Sequence, residues 1–199
     1  MGSRPKSSGA RPSIQLFVKR VFDILVAATG LIVLSPLLVL VSLAIKLDSR
    51  GPICVRHVQY WYDGRRVHVI NFRCRAFVRA DDEDVTTNIG RILSRSGIDR
   101  LPMLLNVLRG EMSIVGPCTY VAPPSILLAG VLPDALPRSK LRPGLLCRAK
   151  INVQQNPDVG SYLRQQIEDD LLYTTNWSLF LDVNIILRIL TSKTSYKFN

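Results

Sequence analysis

The chain has 199 residues, with 26 Lys and Arg against 15 Asp and Glu, a formal charge of +11. That length suits one domain with its own core and leaves little for a second. So basic a balance calls for an anionic partner, and with no RNP, KH or helix-turn-helix pattern to favour nucleic acid, an acidic membrane or a phosphorylated substrate remains.

Residues 1–12, MGSRPKSSGARP, mix Gly, Pro, Ser and cations without periodicity and read as a disordered basic tail. Arg4, Lys6 and Arg11 can lie against anionic lipid at about 1 kcal/mol each. Residues 13–50 read as a membrane anchor. Within them Ile24–Ile45 carries no charge, and at roughly 1.5 Å per residue a helix of that length just crosses a bilayer core. It is longer than a signal-peptide core and no small-residue cleavage site follows, so it reads as retained. Ser35-Pro36 lies near its middle, where proline removes one backbone hydrogen bond and kinks a helix. Lys19 and Arg20 precede the run, and Lys46, Arg50 and Arg56 follow it. Cations on both flanks favour the cytoplasmic side for both ends, which a single crossing cannot satisfy. A helix broken at Ser35-Pro36 that turns back satisfies both features, with Ser35 supplying a partner for a freed backbone group. A plain span is the other reading.

After Gly51-Pro52, β-branched and aromatic residues flank Asp63-Gly64 and predict a hairpin of two strands, Ile53–Tyr60 and Val67–Phe72. Asp81, Asp82, Glu83 and Asp84 read as a solvated loop, with a divalent-cation site as the minority reading. Residues 91–95 predict a short helix stopped at Ser96-Gly97, and Asp99 opens another whose apolar stripe is Leu101, Leu104, Leu105 and Leu108. Asp99 suits an N-cap. A carboxylate ringed by Arg91, Arg95, Arg100 and Arg109 also suits phosphate chemistry, the arginines holding phosphate oxygens while the carboxylate attacks or binds a metal. Ile126–Leu132 reads as a short helix, and Arg142-Pro143-Gly144 as a turn into the strand-like LLCRAKINV. Tyr162–Thr175 is helical, and Ser178 caps a last helix, Leu179–Leu190, whose apolar face suits either the core or a membrane interface. Cys54, Cys74, Cys118 and Cys147 are widely spaced and read as buried thiols of a reducing compartment. His57 and His68 are too isolated for a zinc site.

KRVFDILVAATGLIVLSPLLVLVSLAIKLDSRGP, DRLPMLLNVLRGEMSIVGP, RPG and NWSLFLDVNIIL, in this order, resemble the bacterial sugar transferases, the monotopic polyprenyl-phosphate phosphoglycosyl transferases. The resemblance covers about Val18 to Leu190 and is to the short form. It implies an α/β, mostly helical fold: a membrane-embedded re-entrant helical hairpin broken at Ser35-Pro36, and a cytoplasmic catalytic domain at 51–199 with a small β-hairpin. It implies a bacterial inner membrane, and transfer of a sugar phosphate from a nucleotide-sugar to a polyprenyl phosphate to begin an exopolysaccharide or O-antigen-type glycan. Asp99 is then the nucleophile, magnesium the cofactor, and Arg73, Arg91, Arg95 and Arg142 the phosphate or substrate contacts; the basic charge adds anionic lipids as partners, and a second copy of the chain is a further expectation.

The chain departs from the family pattern at chemical positions. The glutamate of a DELPQ-type motif is Arg100; a KFRSM-type motif reads Asn71-Phe72-Arg73-Cys74-Arg75, and a GPRP-type motif reads Gly116-Pro117-Cys118-Thr119. Leu146, Cys147 and Lys150 stand where a KPGITGLAQVNG-type segment has Thr, Gly and Gln. Two readings follow. In one, Arg100 supplies as a fixed cation what a metal otherwise would; in the other, the chain is a weak or inactive homologue acting as a membrane-bound interaction protein in polysaccharide assembly.

Overall fold

The computed structural model describes residues 13–61, 63–75, 86–122, 141–147 and 159–191. The basic tail, the acidic stretch at 81–84, the short helix expected at 126–132 and the end of the strand-like segment at 148–153 lie outside them.

The first helix, α1, runs from Ser13 to Asp48 with Pro36 inside it. Pro36 has no N–H to give the carbonyl of Ile32, four residues back, and the Ser35 hydroxyl donates to that carbonyl instead at 2.7 Å. The chain is therefore assigned as helix straight across the Ser-Pro pair expected to interrupt it. Buried and half-buried residues recur along one face, from Leu16 and Lys19 through Ala27, Leu31 and Leu38 to Ile45. Ala27 is buried, with Leu16, Val26 and Leu31 half-buried against the main core. Val41 and Ile45, with Leu38 beside them, pack against Phe72 and Leu93. Other apolar residues are exposed along its whole length, among them Phe17, Leu25, Ile32, Val33, Val39, Leu40, Leu43 and Leu47.

Strands β1 (Cys54–Tyr60) and β2 (Arg66–Phe72) pair antiparallel from Cys54↔Phe72 to Tyr60↔Arg66. The connection is longer than a two-residue Asp-Gly turn. Trp61 N–H donates to Arg65 O at 2.8 Å, the Asp63 carboxylate accepts from Arg65, and Gly64 takes a φ of +83°. Val67 and Val69 face the core from β2, as period-2 alternation requires. Asn106 of α3 (Met103–Arg109) completes this side: its side-chain oxygen accepts from Ile70 N and its amide donates to His68 O and to Glu111. A fully buried polar side chain is tolerable only with such complete pairing.

β3 (Ser113–Val115) and β4 (Gly144–Leu146) form a short parallel pair that the sequence reading did not foresee. Their approach depends on bare glycines, since a Cβ on Gly144 would lie 2.1 Å from Gly116 N. Two helices follow, α4 (Val159–Thr175) and α5 (Leu179–Thr191). Ser178 caps α5 as expected, its hydroxyl accepting from Leu181 N at 3.2 Å.

A buried charge network roots α1 in this body. Lys19 Nζ lies 2.7 Å from Asp182 of α5 and donates to Val115 O at 2.9 Å. Asp182 also accepts from Tyr173 and Trp177, while Asp23 accepts from Ile114 N at 3.1 Å. One cysteine expectation is overturned: Cys118 and Cys147 form a disulfide, leaving Cys54 and Cys74 free. The β3–β4 pairing brings the two loops together, a proximity that a separation of 29 residues does not disclose. Buried Asp170 holds the Cys118 side, accepting from Cys118 N and from the Tyr120 hydroxyl.

Candidate active site around Asp99

The helix ahead of Asp99, α2 (Asn88–Ser96), starts at Thr87, whose hydroxyl accepts from Gly90 N at 2.9 Å. Its first turn is pressed onto the end of β2. Thr87 N–H donates to Cys74 O, and a Cβ on Gly90 would fall 1.9 Å from that oxygen. Gly97, at φ +73°, ends α2 and turns the chain into a 3₁₀ turn, Ile98–Arg100. α3 then starts with Pro102 at its N-cap position and no side-chain cap. Asp99 therefore sits inside the 3₁₀ turn, and the expectation that it caps the next helix is corrected: Pro102, with its preset φ, does the starting.

Asp99 is half-buried and lies next to Arg100 in sequence and Cys74 in space. Burial, and then the Asp99 charge, push the Cys74 thiol up to about 11. Burial lowers the Arg100 pKa while Asp99 raises it back. A guanidinium is thus held in a partly dry setting beside the carboxylate, where its charge acts more strongly than in water.

The expected phosphate contacts separate into three places. Arg91 and Arg95 are exposed and, four residues apart, share the face of α2 opposite buried Leu93. Arg73 is buried. Its terminal nitrogens donate to Arg50 O, Ser49 O and the Ser49 hydroxyl at 2.6–2.8 Å, closing the C-terminal end of α1. Arg142 stands at the opposite end of α3 from Asp99, against Gly110 and beside Arg20, roughly 10 Å of helix away. Lys19, Arg20, Asp23 and Asp182 were not singled out from the sequence as interacting groups. The visible signal was a Lys and an Asp four residues apart at the edge of an apolar run.

Residues 14–195 match the model of the family described as bacterial sugar transferase. A Caulobacter vibrioides protein named UDP-glucose:undecaprenyl-phosphate glucose-1-phosphate transferase is 36% identical over 184 residues, 87% of this chain and 68% of that protein. One of the same name from Klebsiella pneumoniae is 34% identical over 182 residues, and there the chain spans only 39% of the relative's length. An exopolysaccharide production protein, PSS, from Rhizobium leguminosarum bv. phaseoli is 34% identical over 90% of this chain and 96% of its own length. With these motifs in register along nearly its whole length, the chain belongs to the bacterial sugar transferase family.

Proposed function

We propose that this chain transfers a sugar phosphate from a nucleotide-sugar, UDP-glucose being the first to test, to undecaprenyl phosphate, and so begins an exopolysaccharide. The family match across residues 14–195 carries this reading, and the substrates follow the names of the relatives. Asp99 attacks the phosphorus bonded to the sugar. The bond to the nucleoside monophosphate breaks, that group leaves with the electron pair, and a phosphosugar ester forms on the carboxylate. A polyprenyl phosphate oxygen then attacks the same phosphorus and frees Asp99. Arg100 stabilises negative charge on the phosphoryl oxygens, and Arg91 and Arg95 draw the diphosphate towards the turn.

The family implies magnesium, but the donor set around Asp99 does not fit it. The second carboxylate position carries the guanidinium of Arg100, whose charge repels a cation. Among the described residues no group of three His, Cys, Asp or Glu could hold a metal.

The membrane seat belongs to the same proposal. α1 dips into the cytoplasmic leaflet and returns, with the catalytic body on the cytoplasmic face. One helix among the described residues is long and apolar enough to cross a membrane by length and composition. Both its ends nevertheless pack on the same body, through Lys19–Asp182 at one end and Val41, Ile45 and the Arg73 bonds at the other. Between those anchors Ile32, Val33, Leu37, Val39 and Leu40 around Pro36 are exposed, as Ile14, Phe17, Leu25, Leu43 and Leu47 are along the rest of the helix, an apolar surface for lipid to cover. Tags before Lys19 and after Arg50 should report the same side; opposite sides would end this part of the reading.

The activity is tested with purified protein, UDP-glucose and undecaprenyl phosphate, by following release of the nucleoside monophosphate. Asp99→Ala should lower it by about 10³-fold or more. Equal release from Asp99→Ala, or none from the unaltered chain with any common nucleotide-sugar, would leave the interaction-protein reading in its place.

A further inference from the structure

A cavity of about 180 Å³ opens at the root of α1, lined by Leu16, Lys19, Arg20, Asp23, Ser113, Leu141 and Arg142. It lies at the C-terminal end of α3, the far end from Asp99. Arg20 is fixed there, its two terminal nitrogens donating to Val107 O at 2.7 Å and Leu108 O at 3.0 Å. A guanidinium has five N–H donors, so donors remain for the cavity. A Cβ on Gly110 would lie 3.3 Å from Arg20 Nη2 and 3.6 Å from Arg142 Nη1. Two guanidiniums thus converge on one bare Cα, and Arg142 is exposed.

The other charges in the wall are answered elsewhere. Lys19 is engaged by Asp182, and Asp23 by Ile114 N and, at 3.9 Å, by Lys19. Two converging guanidiniums match the oxygens of a phosphate, which each can hold through paired N–H groups. Leu16 and Leu141 give the cavity apolar walls, and Ile14 and Phe17 on the same turns are 74% and 68% exposed. Arg142 is the exposed charge at the cavity, while Leu141 is buried and Leu16 half-buried in its wall.

We propose that this cavity binds the phosphate group of an anionic membrane lipid, at a site separate from Asp99, seating the root of α1 at the membrane surface. This rests on the membrane seat described above, and the two can fail separately. Flotation of the full chain with neutral phosphatidylcholine vesicles reads the seat alone. The site is read by melting the full chain in nanodiscs of phosphatidylcholine with and without phosphatidylglycerol. Phosphatidylglycerol well above its dissociation constant should raise the Tm by about 5–10 °C. Arg142→Ala should lose most of that increment and Arg142→Lys keep part of it, since a lysine restores charge without the paired donors. Arg56→Ala, which removes an exposed arginine from β1, should keep it all. An increment unchanged in Arg142→Ala, or lost equally in Arg56→Ala, would overturn the site. A full increment from inorganic phosphate in phosphatidylcholine nanodiscs would overturn its assignment to lipid.

Discussion

Lys19 and Asp99 both bring charge into sheltered positions, and the protein treats them differently. Lys19 is almost fully buried, with a carboxylate at 2.7 Å, a carbonyl at 2.9 Å and the Trp177 ring 5.5 Å away. Its partners come from β3, α5 and the turn before α5 as well as its own helix, so the network joins distant parts of the chain. Asp99 is half-buried in a three-residue turn between two short helices, with a guanidinium and a high-pKa thiol for neighbours. The contrast separates a charge that holds the fold from one presented at its surface. Of the departures from the family pattern, Arg100 and Cys74 lie beside Asp99, while Cys118 and Cys147 form the buried disulfide.

Breaking the first region should give the largest change. Lys19→Ala leaves Asp182 and Asp23 buried without their cation, and should cost about 3–5 kcal/mol. Denaturant unfolding in detergent measures it. Replacing both partners with apolar residues, Lys19→Met with Asp182→Leu, should recover part of the loss; the rest stays because Tyr173 and Trp177 lose the carboxylate they donate to. If the single and double variants unfold alike, the network is not what roots α1.

The Cys118–Cys147 bond joins the loops after β3 and β4. Its loop of 29 residues predicts a stabilisation of about 3–4 kcal/mol, mostly through the unfolded chain. Thermal melts with and without a dithiol reductant measure it. The reduced form is the one a cytoplasmic face would favour. The double replacement by serine should match the reduced protein; a melt indifferent to reduction would remove the bond from the account.

Much of the fold was legible because it depends on local patterns. The two strands of the hairpin, the stop at Gly97 and the serine cap of α5 each follow from residues within a few positions of one another. The β3–β4 pair was not legible. Three-residue strands carry no periodicity, and their pairing depends on Gly116 and Gly144 meeting across 28 positions. The disulfide was missed for the same reason. At the site, the sequence marked Asp99 and the arginines of α2, since charge near a helix break is visible in the letters. It could not show that Arg73 is spent on the end of α1, or that Arg142 faces away from Asp99. Both depend on where a long side chain ends, which only packing decides.

Arg100 probes the second region directly. If its charge stabilises the phosphoryl group, Arg100→Ala should lower turnover about 10²-fold with the fold intact, and Arg100→Lys should restore part. Nucleoside monophosphate release measures both. A variant as active as the parent would mean that Arg100 merely occupies a lost carboxylate's place.

The smallest effect reads the same region without any substrate. Cys74 holds its proton to about pH 11. In the folded chain its alkylation should therefore rise roughly tenfold per pH unit between 8 and 11, following the thiolate fraction. Stability should fall as pH rises through this range, because the unfolded thiol ionises near 9 while the folded one keeps its proton. Part of the shift comes from the Asp99 charge and the larger part from burial. Asp99→Asn should thus speed alkylation of Cys74 at pH 8, by less than unfolding does. Reading this in a Cys54→Ser background leaves Cys74 as the one free thiol among the described residues. An unchanged rate in Asp99→Asn would mean that the carboxylate points away from Cys74, and that the turn presents its charge elsewhere.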